Sequence, residues 1–279
     1  MSAATSSSSS SSTSTSSSTK YRFVLKTVQS AAFKTLIEAL KDILTECNFE
    51  IDSNGIRAIA MDNSHTVLVH LKLEKANFEF FECKQKTIIG LNMLNFFKLI
   101  RTMTSSDTLS LSLDEGNLNV LLITVENGEK NTITNYKLNL IDLNEDNIKI
   151  PATEFESVIT MPSSSFQKLC KDMVNISEKV EIRSVGKQLI FTCVGEFAEQ
   201  ETIVGENNGT KFEKNDDFHI IQGVFSLKHL VMFTKCTNLS NSIELMLKND
   251  YPIIVRYQVA SLGNINLCLA PQVSNTEAF

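Results

Sequence analysis

The sequence lacks the usual signatures of a metal site, a disulfide framework or a membrane helix. No two of its six cysteines are closer than 23 residues, and its four histidines are dispersed without ligand spacing. No apolar run approaches the roughly 18–20 residues that a membrane helix needs. We therefore expect buried thiols in a reducing compartment, no metal or other cofactor, and no contact with a membrane.

Motifs of catalysis are equally sparse. The segment GENNGTK at 205–211 contains glycines and a lysine, but not in the GxxxxGK[ST] order of a phosphate-binding loop. Asp62, Ser64 and His65 have the residue types of a hydrolytic triad, yet a triad usually draws its members from distant segments. We interpret this segment as a polar turn between strands and predict no catalytic residues. A hydrolase built on Ser64 and His65 is the alternative, and its activity would disappear in His65→Ala.

Basic residues are outnumbered by acidic ones in the whole chain, but many of them are concentrated in a few short windows. The chain has 26 Lys and Arg against 32 Asp and Glu, a net charge of −6 that by itself disfavours nucleic acid. Eight of the basic residues and only three acidic ones fall in four windows with helical periodicity, residues 30–44, 92–103, 163–176 and 226–237. The charge distribution would attract phosphates to the helices and repel them elsewhere.

The eight cations form four pairs at helical spacing. Partners three or seven residues apart share one helix face, and the pairs are Lys34 with Lys41, Lys98 with Arg101, Lys168 with Lys171, and Lys228 with Lys235. Both Lys34 to Lys168 and Arg101 to Lys235 span 134 residues, which predicts two copies of a two-helix unit. For any single pair a solvated surface is the alternative. Four pairs at repeated positions favour sequence-independent contact with phosphates.

The order of predicted elements indicates two similar domains of an α+β fold. Residues 1–20 include 12 Ser and 4 Thr, and we expect a disordered tail because such a tract buries too little apolar area. In both 21–139 and 157–279, two helices alternate with antiparallel strands, and Ser30 is the predicted cap of the first helix. Residues 207–217 are predicted as a polar loop. Residues 140–156 contain five acids and no sustained period, which is typical of a linker between domains.

Several segments resemble one family along most of the chain, from residue 21 to residue 273. They are LIEALKDIL (36–44), IDSNGIRAIAMDNSHTVLVHLKL (51–73), NYKLNLIDL (135–143), MPSSSFQKLCKDM (161–173), FTKCTNLS (233–240) and LAP (269–271). In shared order and spacing they are similar to the eukaryotic-type DNA sliding clamp, proliferating cell nuclear antigen. Departures from the family's usual residues suggest a divergent member from a protist or a large DNA virus.

The resemblance implies a head-to-tail homotrimer whose helices line a ring and whose antiparallel sheets face outward. All eight paired cations would then contact the phosphates of encircled duplex DNA, so that the ring slides as a polymerase processivity factor without reading sequence. The matching subunit edges are 133–140 and 201–207. The implied location is the nucleus, or a viral replication compartment. A clamp-shaped scaffold that recruits proteins without encircling DNA is the alternative.

The resemblance also implies a groove for short peptides of DNA polymerase, the clamp loader, flap nuclease and ligase. The matching positions are Met61, His65, Leu68, Ile148, Ile150, Pro252, Leu269, Ala270 and Pro271. At three positions this sequence departs from the family's usual residue. Cys268 replaces a tyrosine common in the groove floor and Thr66 replaces an aliphatic residue, so partner preference is expected to differ. Gly186, beside Lys187, aligns with the lysine that is modified in the family.

Overall fold

The computed structural model describes residues 20–143, 148, 150–214 and 219–272. The predicted tail, apart from Lys20, and parts of the predicted linker lie outside the described residues. Four α-helices are present in the described part: α1 Ser30–Ile43, α2 Met93–Ile100, α3 Ser163–Met173 and α4 Leu227–Phe233. Short 3-10 helices cover Lys75–Asn77 and Thr234–Leu239. None of the helices described here is long and apolar enough to cross a membrane.

The strands follow the same order in both halves. The first half contains β1 Tyr21–Thr27, β2 Glu46–Asp52, β3 Gly55–Met61, β4 Val67–Glu74, β5 Phe80–Cys83, β6 Thr87–Asn92, β7 Asp107–Asp114, β8 Asn117–Asn127 and β9 Thr132–Asn139. The second contains β10 Ser157–Pro162, β11 Lys179–Val185, β12 Gln188–Val194, β13 Glu199–Gly205, β14 Lys211–Lys214, β15 Ile221–Ser226, β16 Ser242–Leu247, β17 Ile253–Val259 and β18 Gly263–Leu269. Each half is thus one strand, a helix, five strands, a helix and three strands, which confirms the predicted α+β fold of two similar domains.

Corresponding strands also pair in the same order. In the first half the orders are β5-β1-β7-β8-β9 and β4-β3-β2-β6, and in the second they are β14-β10-β16-β17-β18 and β13-β12-β11-β15. All of these pairings are antiparallel, and β18 additionally pairs with β4 of the other half. The two halves are therefore joined by backbone hydrogen bonds into one sheet of nine strands.

The core lies between the sheets and a layer of helices. In β4, Val67, Val69, Leu71 and Leu73 are buried while the residues between them are partly exposed, as expected for a strand with one face on the core. Helix α1 contacts α2, α4 and the 3-10 helix Thr234–Leu239, and α3 contacts α4. The helices of both halves thus pack together on one side of the joined sheets.

Three local expectations were wrong. Gln29, not Ser30, precedes the first turn of α1, and the buried Ser30 hydroxyl instead donates to the carbonyl oxygen of Thr104 at 2.7 Å. Residues 215–217 of the predicted polar loop 207–217 lie outside the described residues, and its described part contains β14, because the open edge of β10 offers backbone partners that local sequence does not reveal. The fourth predicted helix changes to 3-10 geometry after Phe233, where the Thr234 hydroxyl donates to the carbonyl of Val231 at 2.7 Å.

Gly263 permits the close approach of the two halves, and this can be tested. A Cβ at this position would lie 2.1 Å from the carbonyl oxygen of Lys72 on β4. We expect Gly263→Ala to lower the free energy of unfolding by about 1–3 kcal/mol in urea denaturation, because backbone must shift to admit the methyl group. Gly128→Ala is the control, since nothing lies within 4 Å of its added Cβ. Equal stability of the two variants would contradict this account of the junction.

Candidate functional site

The layer of helices presents most of the predicted cations to solvent. In each helix the apolar side is buried, as Met93, Phe96 and Ile100 are in α2 and Phe166, Cys170 and Met173 are in α3. Six of the eight cations are exposed: Lys98, Arg101, Lys168, Lys171, Lys228 and Lys235. The sequence pattern thus correctly assigned these six to the solvent side of their elements, although Lys235 lies on the 3-10 helix rather than on α4.

Lys34 and Lys41 are only partly exposed. The Lys34 ammonium donates to the carbonyl oxygen of Met103 at 2.5 Å, which ties α1 to the segment that follows α2. The Lys41 ammonium lies 2.7 Å from a carboxylate oxygen of Asp42 and 5.0 Å from the ring centroid of Phe97. These contacts hold both lysines against the helices, so they project less far into solvent than the other six cations.

Asp42 connects the two halves within this layer. Its carboxylate accepts hydrogen bonds from Lys41 on its own helix and from Lys235 of the second half. Partial burial tends to raise the pKa of Asp42, but the hydrogen bonds and charges of Lys235 and Lys41 outweigh it and lower the pKa below 3.8. Asp42 is therefore ionised at neutral pH and offsets part of the positive charge on the helix surface.

A groove of about 200 Å³ lies on the opposite, outer face of the nine-stranded sheet. Its floor is a row of side chains on four neighbouring strands, because Met61 pairs with Leu68, Leu68 with Cys268, and Cys268 with Ile254. Each of these residues alternates with buried neighbours and so points away from the core. An apolar row that no described element covers is suited to receive apolar side chains from a partner.

The turn between β3 and β4 forms one wall of the groove. Asp62 accepts hydrogen bonds from the backbone N–H groups of Thr66 and Val67, both at 2.8 Å, and from the hydroxyl of Ser64. Burial tends to raise the pKa of Asp62, but these hydrogen bonds outweigh it and lower the pKa below 3.8. Since the Ser64 hydroxyl donates to Asp62 and not to His65, the segment has the geometry of the predicted polar turn rather than of a proton relay.

The end of the predicted linker borders the other side of the groove. The Thr153 hydroxyl donates to the Tyr251 hydroxyl at 3.0 Å, and the Phe155 ring meets the Tyr251 ring edge-on at 5.8 Å. At its start the linker is held by Ile141, whose N–H donates to the carbonyl of Gly90 at 3.0 Å. Residues 144–147 and 149 of the linker lie outside the described residues.

The structure brings together six of the nine predicted groove residues and not the other three. Met61, His65, Leu68, Ile150, Pro252 and Ala270 line the groove, as do the two departures Thr66 and Cys268. Leu269 is fully buried, because neighbours on a strand face opposite sides and only Cys268 and Ala270 can face the groove. Pro271 lines a separate hollow beside β15, and Ile148 does not border the groove.

Sequence reasoning missed three groove residues, Pro151, Tyr251 and Ile254. Ile254 could have been found, since it alternates with the apolar Ile253 and Val255 and lies two residues beyond the predicted Pro252. Pro151 and Tyr251 precede their strands, so no period identified them.

Comparisons with known proteins agree with this geometry. Residues 22–148 match the model of the proliferating cell nuclear antigen N-terminal domain, and residues 149–272 match that of its C-terminal domain. The chain belongs to the proliferating cell nuclear antigen family. The two matches meet at 148 and 149, inside the segment 140–156 that was predicted as a linker. The fold is accordingly that of the DNA clamps, and the function belongs to the class of DNA polymerase processivity clamps.

Individual relatives cover nearly the whole chain. A protein of Paramecium bursaria Chlorella virus 1, described as probable DNA polymerase sliding clamp 1, is 34% identical over 256 residues, which are 90% of this chain and 97% of the relative. Proliferating cell nuclear antigen of Chaetomium thermophilum is 31% identical over 255 residues, 89% of this chain and 97% of the relative. The resemblance identified from short segments is thus confirmed over both domains.

The wall of the groove gives a prediction with a defined pH dependence. Because the folded-state pKa of Asp62 is lowered, its stabilisation is present above pH 3.8 and is lost as the pH falls through the folded-state value. We expect Asp62→Asn to lower the free energy of unfolding by about 1 kcal/mol near pH 7 and by much less near pH 3, as measured by urea denaturation. The exposed Asp142→Asn is the control. A deficit that does not shrink on acidification would refute the role of the charge.

Proposed function

We propose that the protein is a DNA polymerase sliding clamp that closes into a homotrimeric ring around duplex DNA. The observation that supports it best is the internal repeat of strand pairing. Within one chain, the last strand of the second half, β18, pairs with β4 of the first half. By the repeat, β9 corresponds to β18 and β13 corresponds to β4, and both are edge strands within the described residues.

Pairing of β9 with β13 of a neighbouring chain would therefore reproduce a junction that each chain already contains. Five strands from one chain and four from the next would again form a sheet of nine, as they do around β18 and β4. Ile133 on β9 is 66% exposed and Ile203 on β13 is 53% exposed. Exposed apolar side chains on open strand edges favour burial of both edges against a neighbouring chain. Such a contact is head-to-tail, and it closes into a ring when the rotation between chains allows it.

The helix layer supplies the contact with DNA in this proposal. With three chains in the ring, all helices face the central opening and their cations face the phosphates. The exposed Lys98, Lys168 and Lys228 would contribute most, since Lys41 and Lys235 share the carboxylate of Asp42. Contacts of this kind depend on charge and carry no sequence information, so they are compatible with sliding.

The outer groove would hold the partner enzymes without any catalysis by the clamp. A short peptide of a polymerase, the clamp loader, a flap nuclease or a ligase would bury aromatic side chains over Leu68 and Cys268. The clamp would act in the nucleus or in a viral replication compartment, where such enzymes work. A scaffold that does not encircle DNA is the competing function, and the exposed helix cations argue against it.

The main test is stimulation of the cognate polymerase on a long primed template in the presence of the clamp loader. We expect charge reversal at Lys98, Lys168 and Lys228 together to shorten the products by about tenfold, because three phosphate contacts become repulsive. The control reverses Lys75, Lys179 and Lys211, which are exposed outside the helix layer. No stimulation by the unaltered protein would favour the scaffold.

The ring is tested separately by light scattering at several concentrations. We expect a mass three times the 31.1 kDa of one chain, and loss of that assembly in either Ile133→Asp or Ile203→Asp. Each variant retains one intact edge, so a head-to-tail contact predicts that mixing the two yields dimers. Ile88→Asp on β6, another edge strand, is the control and should leave the trimer intact. A monomer at all concentrations of the unaltered protein would refute the ring.

A further inference from the structure

The groove floor is the first of three parallel rows on the outer face of the joined sheet. Moving two residues along each strand leads from the apolar row to Ile59, His70, Asn266 and Arg256. A further two residues lead to Arg57, Lys72, Asn264 and Gln258. The apolar groove therefore passes directly into a strip that contains three cations, Arg57, Lys72 and Arg256, which we call the basic strip.

The basic strip is accessible and locally positive. Arg57 is exposed, and the side chains of Lys72 and Arg256 retain 44% and 34% of their accessible surface. His70 lies among them, and burial followed by the charges of Arg57, Lys72 and Arg256 lowers its pKa. Every charge that shifts His70 is thus positive, and the imidazole is held neutral among three cations.

Acidic neighbours are present but weakly held. Glu74 pairs with Lys72 at 2.6 Å, and Glu244 pairs with Arg256 at 3.0 Å. Glu50, which lies opposite Arg57 in the strand pairing, is itself paired with Lys86 at 2.9 Å. Partly exposed ion pairs of this kind contribute about 0–1 kcal/mol, so a partner's carboxylate can compete for the cations.

The distance from the groove to the strip suits a single short peptide. Two residues along a strand correspond to about 6.6–6.8 Å, which puts the second and third rows about 7 and about 14 Å from the groove floor. An extended chain advances about 3.3–3.6 Å per residue, so two to four residues beyond an apolar anchor reach the cations.

We propose that the basic strip binds acidic side chains of the same partner peptide whose apolar anchor occupies the groove. The inference rests on the proposed function of the groove and adds a partner class to it: peptides with Asp or Glu two to four residues from the apolar core. Continuity with the groove and complementary charge both support this occupant. A nucleic acid fits less well, because Glu74 and Glu244 are interspersed with the cations and would repel a continuous row of phosphates.

Three synthetic peptides test the proposal by fluorescence anisotropy with the intact protein. All share an apolar core with two phenylalanines, and the flank is three Glu on the amino side, three Glu on the carboxyl side, or three Gln. We expect one Glu-flanked peptide to bind about 5- to 20-fold more tightly than the Gln-flanked peptide at about 50 mM NaCl, and the advantage to vanish at about 500 mM.

Two double variants locate the effect. Arg57→Gln with Lys72→Gln should reduce the advantage of the Glu flank to about twofold or less and leave binding of the Gln-flanked peptide unchanged. Lys179→Gln with Lys211→Gln removes the same charge from exposed positions in the second half and should keep the full advantage. The Gln-flanked peptide reports on folding of every variant, since it needs only the groove.

The outcomes separate this proposal from the one on which it rests. Equal binding of the three peptides overturns the role of the basic strip and leaves the groove intact. Failure of all three to bind overturns both. An oligothymidylate that binds through Arg57 and Lys72, without any preference among the peptides, overturns the proposal in favour of single-stranded nucleic acid.

Discussion

The structure depends on the backbone pairing of β18 with β4. This contact joins the halves of the chain into one sheet of nine strands, and it requires the small residue Gly263, beside which the carbonyl of Lys72 leaves no space for a side chain. Because the strand order is repeated, β9 and β13 correspond to β18 and β4. Within the described residues, each of them lacks the second neighbouring strand that β18 and β4 provide for each other. In the proposed ring, this internal junction would be the template for the junction between chains.

The helix face and the groove face of the molecule differ in charge and in polarity because each helix and each strand turns one set of side chains to the core and another set to solvent. On the inner side, helices bury residues such as Phe33 and Phe96, whose rings meet edge-on at 6.2 Å, and leave cations in solvent. Asp42 moderates that charge where the halves meet. In the proposed contact with DNA, a moderate field would favour sliding, since strong binding would hinder it.

On the outer side, the same alternation places apolar and basic rows next to each other. Leu68 and Lys72 are four residues apart on one strand, yet they belong to surfaces of different chemistry. Each surface extends across the junction of the halves because neighbouring strands are in register there. Residues of β17 and β18 therefore continue the row of Leu68 and the rows that contain the cations. The chemistry of this surface is therefore a property of the joined sheet and of neither half alone.

The amino-acid sequence by itself determined the repeated order of strands and helices, the solvent side of the cations, and part of the groove. The order of elements and the side of the cations follow from periods of 2.0 and 3.6 residues, which are local, whereas the groove residues follow from the resemblance of whole segments to the family. Tertiary structure alone decided the rest. The pairing of β18 with β4 brings Cys268 beside Leu68, the edge of β10 gives β14 its partner, and the packing of the helices places Lys235 on Asp42. Each of these contacts joins residues distant in sequence, and no local period encodes which distant strand or side chain will be the neighbour.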